Sequence, residues 1–180
     1  RMPTWLSLRK ENFSATALPT AQLKTAWFIE SGSLTAKPGS TTTFKPLIET
    51  SAAGGEIPAM MLQFAQPDDI AKQIIPSGKK TIAALVTGKF KTAFPDGKPG
   101  ATNASSLKEA KSDTVVYLFG DVDFLNDAYS VEVNPMLGMA MPRNGNLALV
   151  QNLVEQASGD VNLVGARGRA SVSRPFTVVQ

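Results

Sequence analysis

Alternation of apolar and polar positions dominates the first half of the chain and gives way to a helical spacing near its end. Thr25-Ala26-Trp27-Phe28-Ile29 reads as a strand stopped by Ser31-Gly32-Ser33. Over Thr41–Ile48, Thr43, Lys45 and Leu47 share one face, and Phe44, Pro46 and Ile48 the other. Pro46 has no N–H to give a ladder, so this strand belongs at an edge or is split there. The longest strand pattern is Thr81–Phe94. Ile82, Ala84, Val86, Phe90 and Phe94 have one parity and Lys89 and Lys91 the other, so its second half is covered on one face and wet on the other. Farther on, Leu149, Val150, Leu153 and Ala157 trace one stripe at helical spacing, widened by Leu147 and Val154. That stripe predicts a helix over Asn146–Ala157, stopped by Ser158-Gly159.

The segments between these elements are read from turn chemistry. Residues 1–20 are expected to form an extended docking arm that lays Trp5, Leu6 and Leu8 on the core, followed by a helical turn over Ala21–Leu23. Lys37-Pro38-Gly39-Ser40 is a turn and Ser51-Ala52-Ala53-Gly54-Gly55 a loop. Pro67-Asp68-Asp69 opens a short helix through Ile74 that Pro76-Ser77-Gly78 ends. Residues 95–112 form a flexible excursion, richest in Pro, Gly, Asn and Ser over 95–106, and 135–145 a second loop carrying Met136, Met139 and Met141. The tail alternates Ala170, Val172 and Arg174 against Ser171, Ser173 and Pro175.

One junction concentrates the candidate chemistry. The apolar run Val115–Phe119 stops at Gly120, Asp121 and Asp123 stand two apart, and an apolar-spaced helix is expected near 123–129. This pattern suits a buried strand leaving an α/β core and handing over to a helix, a place where ligands collect. Two carboxylates there can hold a divalent cation or share acid–base work if a turn brings them together. The simpler reading is structural: Asp121 or Asp123 accepts bonds from the free amides of the first helical turn, and Gly120 lets the chain turn tightly.

Composition narrows the chemistry further. The 180 residues are 43% apolar, enough for one ordinary domain with a real core. Neither cysteine nor histidine is present, which removes thiol catalysis, imidazole bases and nearly every zinc site. No cofactor motif stands out: Gly165-Ala166-Arg167-Gly168-Arg169 lacks the strand–glycine loop–helix setting and the lysine of a phosphate loop. The net charge of +3 is spread over Lys79-Lys80, Lys89, Lys91 and scattered arginines, so no nucleic-acid footprint is expected. Trp5 and Trp27 are read as packing anchors and the methionines as core filling or an adaptable partner surface. No apolar run reaches the length of a bilayer span.

Several stretches, in order, resemble the GldG-like auxiliary family of uncharacterised ABC-type transport and gliding-motility systems. They are Trp5-Leu6-Ser7-Leu8-Arg9-Lys10-Glu11-Asn12-Phe13, Leu85–Pro95, Val115–Asn126, the helix containing Asn146 and Asn152, and Arg167-Gly168-Arg169 before Arg174-Pro175-Phe176. The resemblance implies an α/β fold with an open, mostly parallel or mixed twisted sheet and flanking helices, similar to the glutamine-amidotransferase-like group. Residues 1–180 would be one such domain or the C-terminal part of one, with an edge that needs another strand, a partner or covering loops. It further implies a non-enzymatic interaction or scaffold domain on the extracytoplasmic (periplasmic) side of the bacterial inner membrane. The parent protein would be membrane-anchored, with membrane transport subunits as partners that meet the loops at 95–112 and 133–145. The alternative is a small-ligand or carbohydrate-binding or processing domain in which Asp121 orients a cation or hydroxyl and Asp123 supplies the second charged oxygen. Gly120, Asp121 and Asp123 match a characteristic corner of the family.

Overall fold

The computed structural model describes residues 2–64, 66–97, 99–100, 107–136 and 138–159. In chain order the strands and helices are β1 (Trp5–Arg9), β2 (Thr25–Ile29), β3 (Thr43–Glu49), β4 (Gly55–Glu56), α1 (Ala59–Leu62), α2 (Pro67–Gln73), β5 (Ile75–Pro76), β6 (Thr81–Gly88), β7 (Thr114–Phe119), α3 (Asp127–Ser130), β8 (Val131–Val133), β9 (Ala140–Pro142) and α4 (Asn146–Ala157). Single 3₁₀ turns follow β1, at Lys10–Asn12, and precede α3, at Asp123–Leu125. The expectations placed on Gly165–Arg169, on the tail and on residues 101–106 lie outside the described residues.

Mixed α/β content is as expected, but the sheet is not mostly parallel or mixed. The described strands form a β1-β2 ribbon, a β3-β6-β7 sheet and two small hairpins, β4-β5 and β8-β9, and every pairing is antiparallel. A parallel return needs a crossover of a dozen residues or more, usually a helix lying on the sheet. The junction after β7 supplies only a 3₁₀ turn and the four-residue α3 before the chain re-enters a strand.

Within the segment read as a docking arm, Trp5–Arg9 is a paired strand: Leu6 stands opposite Phe28 and Leu8 opposite Ala26. Leu8 is buried, and the Trp5 ring meets Tyr129 edge-on with centroids 5.7 Å apart. Pro46 sits on an edge strand, because β3 pairs with β6 alone within its sheet, and the register slips immediately after it. The β6 strand is shorter than its pattern. It ends at Gly88, whose φ of 137° is costly for any side chain, and Phe94 lies exposed beyond it. The run Val115–Phe119, expected to be a buried strand, is instead the other edge of the sheet, with Val115 and Leu118 exposed.

Of the helices read from sequence, those opening at Pro67 and at Asn146 are present, while the one expected near 123–129 is broken into the 3₁₀ turn Asp123–Leu125 and the short α3. Pro67 opens α2 in the position where a missing N–H costs nothing, and Ile70 is its one buried residue. The α4 helix spans Asn146–Ala157 as its stripe predicts, although Asn146 and Asn152 share its buried face with Leu149 and Leu153 while Val154 is exposed. The core gathers Leu8, Phe13, Phe28, Leu47, Ile48, Ile82, Phe124, Leu149 and Leu153. At its centre the rings of Phe28, Phe119 and Phe124 stack nearly parallel, with centroids 5.0–6.5 Å apart. The acidic corner is therefore anchored to the core by Phe124, one residue beyond Asp123.

Candidate functional site

At the corner the chain leaves β7 through Gly120, whose N–H donates to Ile82 O (2.9 Å) and whose carbonyl accepts from Gly32 N–H (2.8 Å). A Cβ on Gly120 would overlap the Gly32 carbonyl oxygen, so close backbone approach, not a special φ, is what requires glycine here. Gly120→Ala is expected to destabilise the chain by about 1–3 kcal/mol, the usual cost of forced overpacking. Urea unfolding of the purified variant checks this, and a change within error of zero would show that the two segments can simply move apart.

Asp121 is 6% exposed and its carboxylate is consumed by backbone. Oδ2 accepts from Ile29 N–H at 2.5 Å, and Oδ1 accepts from Asp123 N–H at 2.6 Å and Phe124 N–H at 3.2 Å. Burial pushes the Asp121 carboxyl above its ordinary value; the three amides pull the other way without fully offsetting it, and the Asp123 charge adds to the rise. Asp123 is exposed, as is Asp127, and Val122 between the two aspartates is 89% exposed. Among the described residues no three His, Cys, Asp or Glu side chains gather as a metal site. Gly120, Asp121 and Asp123 thus form a corner in which one carboxylate ties turns together and the other faces water.

The wider setting gives that tie its meaning. Thr25, Trp27 and Ile29 direct their backbone groups to the side of β2 away from β1. Each is met there by something other than a strand. Gly145 N–H donates to Thr25 O, and Asn146 Oδ1 accepts from Trp27 N–H at 2.9 Å. Asn146 Nδ2 donates to Trp27 O at 2.8 Å and to Phe124 O at 2.5 Å, and Asp121 takes Ile29 N–H. The Asn146 amide pairs with Trp27 as a neighbouring strand's peptide group would, and together these groups close an edge that would otherwise present free donors and acceptors. Sequence reading found Asp121 but missed Asn146 as a buried amide. Its signal was Asn144-Gly145-Asn146, where Asn144 Oδ1 accepts from Asn146 N–H and sets the turn that delivers the amide.

The other sequence candidates are dispersed. Lys79 pairs with Glu49 at 3.9 Å and Lys80 with Glu56 at 3.6 Å, while Lys89 and Lys91 line a separate polar hollow of about 420 Å³ with Glu109 and Asp113. Met136, Met139 and Met141 are not core filling. They lie exposed at and beside the β8-β9 hairpin with Val133, and Met136 is 92% exposed. A cleft of about 830 Å³ opens between β1 and β4, and no residue from 120 to 124 lines it.

A family model described as "ABC-type uncharacterized transport system" matches residues 1–153. No curated protein and no solved structure matches the chain.

Proposed function

We propose, from the premise that the chain belongs to this family of ABC-type uncharacterized transport systems, that it is a non-enzymatic docking domain of the transport assembly. The transport-associated accessory role follows from the family. The scaffold role, the extracytoplasmic position and any link to gliding motility are this proposal's extension of it.

The observation that carries the docking role is the β8-β9 hairpin. Val133, Met136, Met139 and Met141 expose apolar side chains to solvent on one short hairpin and its turn. Methionine adapts to uneven partner surfaces, and exposed apolar side chains gathered in one short segment suit a contact site. The acidic corner supports the non-enzymatic side of the proposal, because Asp121 spends both oxygens on backbone amides. A ligand-processing domain built on Asp121 and Asp123 draws no support from that geometry.

Replacing Met136, Met139 and Met141 together by serine should leave the fold intact, since all three are exposed. Recovery of transport subunits co-purified from detergent-solubilised membranes with the tagged parent protein is expected to fall at least ~10-fold, the loss that removes about 1.4 kcal/mol of binding. Unchanged recovery of every subunit would overturn the hairpin as the contact.

A further inference from the structure

The β1-β2 ribbon has one edge closed and one edge open. Trp27 stands opposite Ser7 and turns both its backbone groups to Asn146, so Ser7 and Trp27 are a non-hydrogen-bonded pair. The N–H and C=O of Ser7 therefore point away from β2, and no partner meets them among the described residues. The flanking amides on that edge are already occupied: Trp5 N–H donates to Met2 O and Arg9 N–H to Asn12 Oδ1. What remains is a short stretch of unpaired backbone centred on Ser7, and it lies on the wall of the cleft of about 830 Å³.

The cleft itself is suited to an extended chain. Leu6 and Leu8 line its β1 side, and Gly54 and Gly55 line the other. Its charges do not balance. Lys80 and Glu56 neutralise each other, whereas the exposed Glu30 carboxylate at the end of β2 has no described partner. Glu30 also holds a positive φ of 52°, rare for a residue with a side chain, and its N–H donates to Thr4 O beside the start of β1. An occupant that matches this wall supplies an alternating C=O and N–H to Ser7 and a cation to Glu30.

We infer that the cleft beside β1 binds an extended polypeptide segment, which adds as a third strand at Ser7 and places a lysine or arginine against Glu30. Main-chain hydrogen bonds give such a contact its affinity, and side-chain pockets and charge give it direction. The site is separate from the β8-β9 hairpin, and its binding does not depend on the transport reading.

The test titrates isotope-labelled chain with a capped octapeptide, Lys-Thr-Val-Thr-Val-Thr-Val-Lys, and follows backbone amides by NMR. A saturable shift at Ser7 and its neighbours in β1 is expected, with half-saturation below ~1 mM. N-methylation of alternate peptide nitrogens should weaken binding at least ~10-fold, as should replacing both lysines by glutamate. Glu30→Gln should weaken it several-fold, Ser7→Ala should leave it unchanged because only backbone is read, and Ser7→Pro should abolish it. No shift at Ser7, equal binding of the N-methylated peptide, or shifts centred on Tyr117 at the β7 edge would each overturn the inference. The peptide variants leave the protein unaltered, so a poorly folded Ser7→Pro chain cannot decide the outcome alone.

Discussion

Asn146→Leu is expected to lower the stability of the chain by about 3–5 kcal/mol, because it strands three buried backbone groups at once. Leucine fills a similar volume but gives Trp27 N–H no acceptor and gives Trp27 O and Phe124 O no donor. Asn146 is fully buried, so water cannot substitute. Asn146→Asp sharpens the test: one oxygen can still serve Trp27 N–H, but the other faces two carbonyl oxygens. Its cost should match or exceed that of leucine. Urea denaturation with an unchanged slope, or a melting temperature lower by about 2–4 °C per kcal/mol, would report the loss. A leucine variant within about 1 kcal/mol of the parent would mean that the amide is not the partner that β2 requires.

Asp121→Ala is the second large effect, about 2–4 kcal/mol, from leaving the buried amides of Ile29 and Phe124 without their acceptor. Asp121→Asn should recover only part of this, because its NH₂ replaces one acceptor with a donor facing another donor. The pH dependence has a definite sign. Burial raises the folded carboxyl above its unfolded value of 3.8, so the folded chain binds this proton more tightly than the unfolded one. The contribution of Asp121 is therefore fullest below that value and is lost as pH rises through the folded value. The gap in stability between the parent chain and Asp121→Asn should be wider near about pH 3.5 than near about pH 7, with other titrations cancelling in the difference. A gap that widened toward neutral pH would show that the three amides outweigh burial.

Local pattern made α2, α4, β2, the edge position of Pro46 and the acidic turn legible in the sequence. Each depends on neighbours within a few residues: a proline at a helix start, a stripe at helical spacing, a glycine before an aspartate. Strand partners did not follow from such signals. The run Val115–Phe119 reads as a buried parallel strand and is an antiparallel edge, since an apolar run states what a segment can bury and not which neighbours cover it. Asn146 shows the same limit from the polar side. Within α4 it looks like the polar start of an apolar stripe, and only contact with Trp27, 119 residues away in sequence, makes it a hydrogen-bonding partner of β2. Asp121 was the candidate residue that sequence located, and its task was written into the turn rather than into any catalytic set.

The closure of β2 by Asn146, Gly145 and Asp121 also fixes a valency. A ribbon with two bare rims can take a strand on each side and hand on a fresh rim every time, which is how open-ended stacks grow. Here one rim is met by two side chains and the single turn N–H of Gly145, which offer no continuing strand, so guests can join this ribbon from the Ser7 side alone. Strand pairing at the ribbon is thereby limited to one direction, and a stoichiometric complex is favoured over a chain of them.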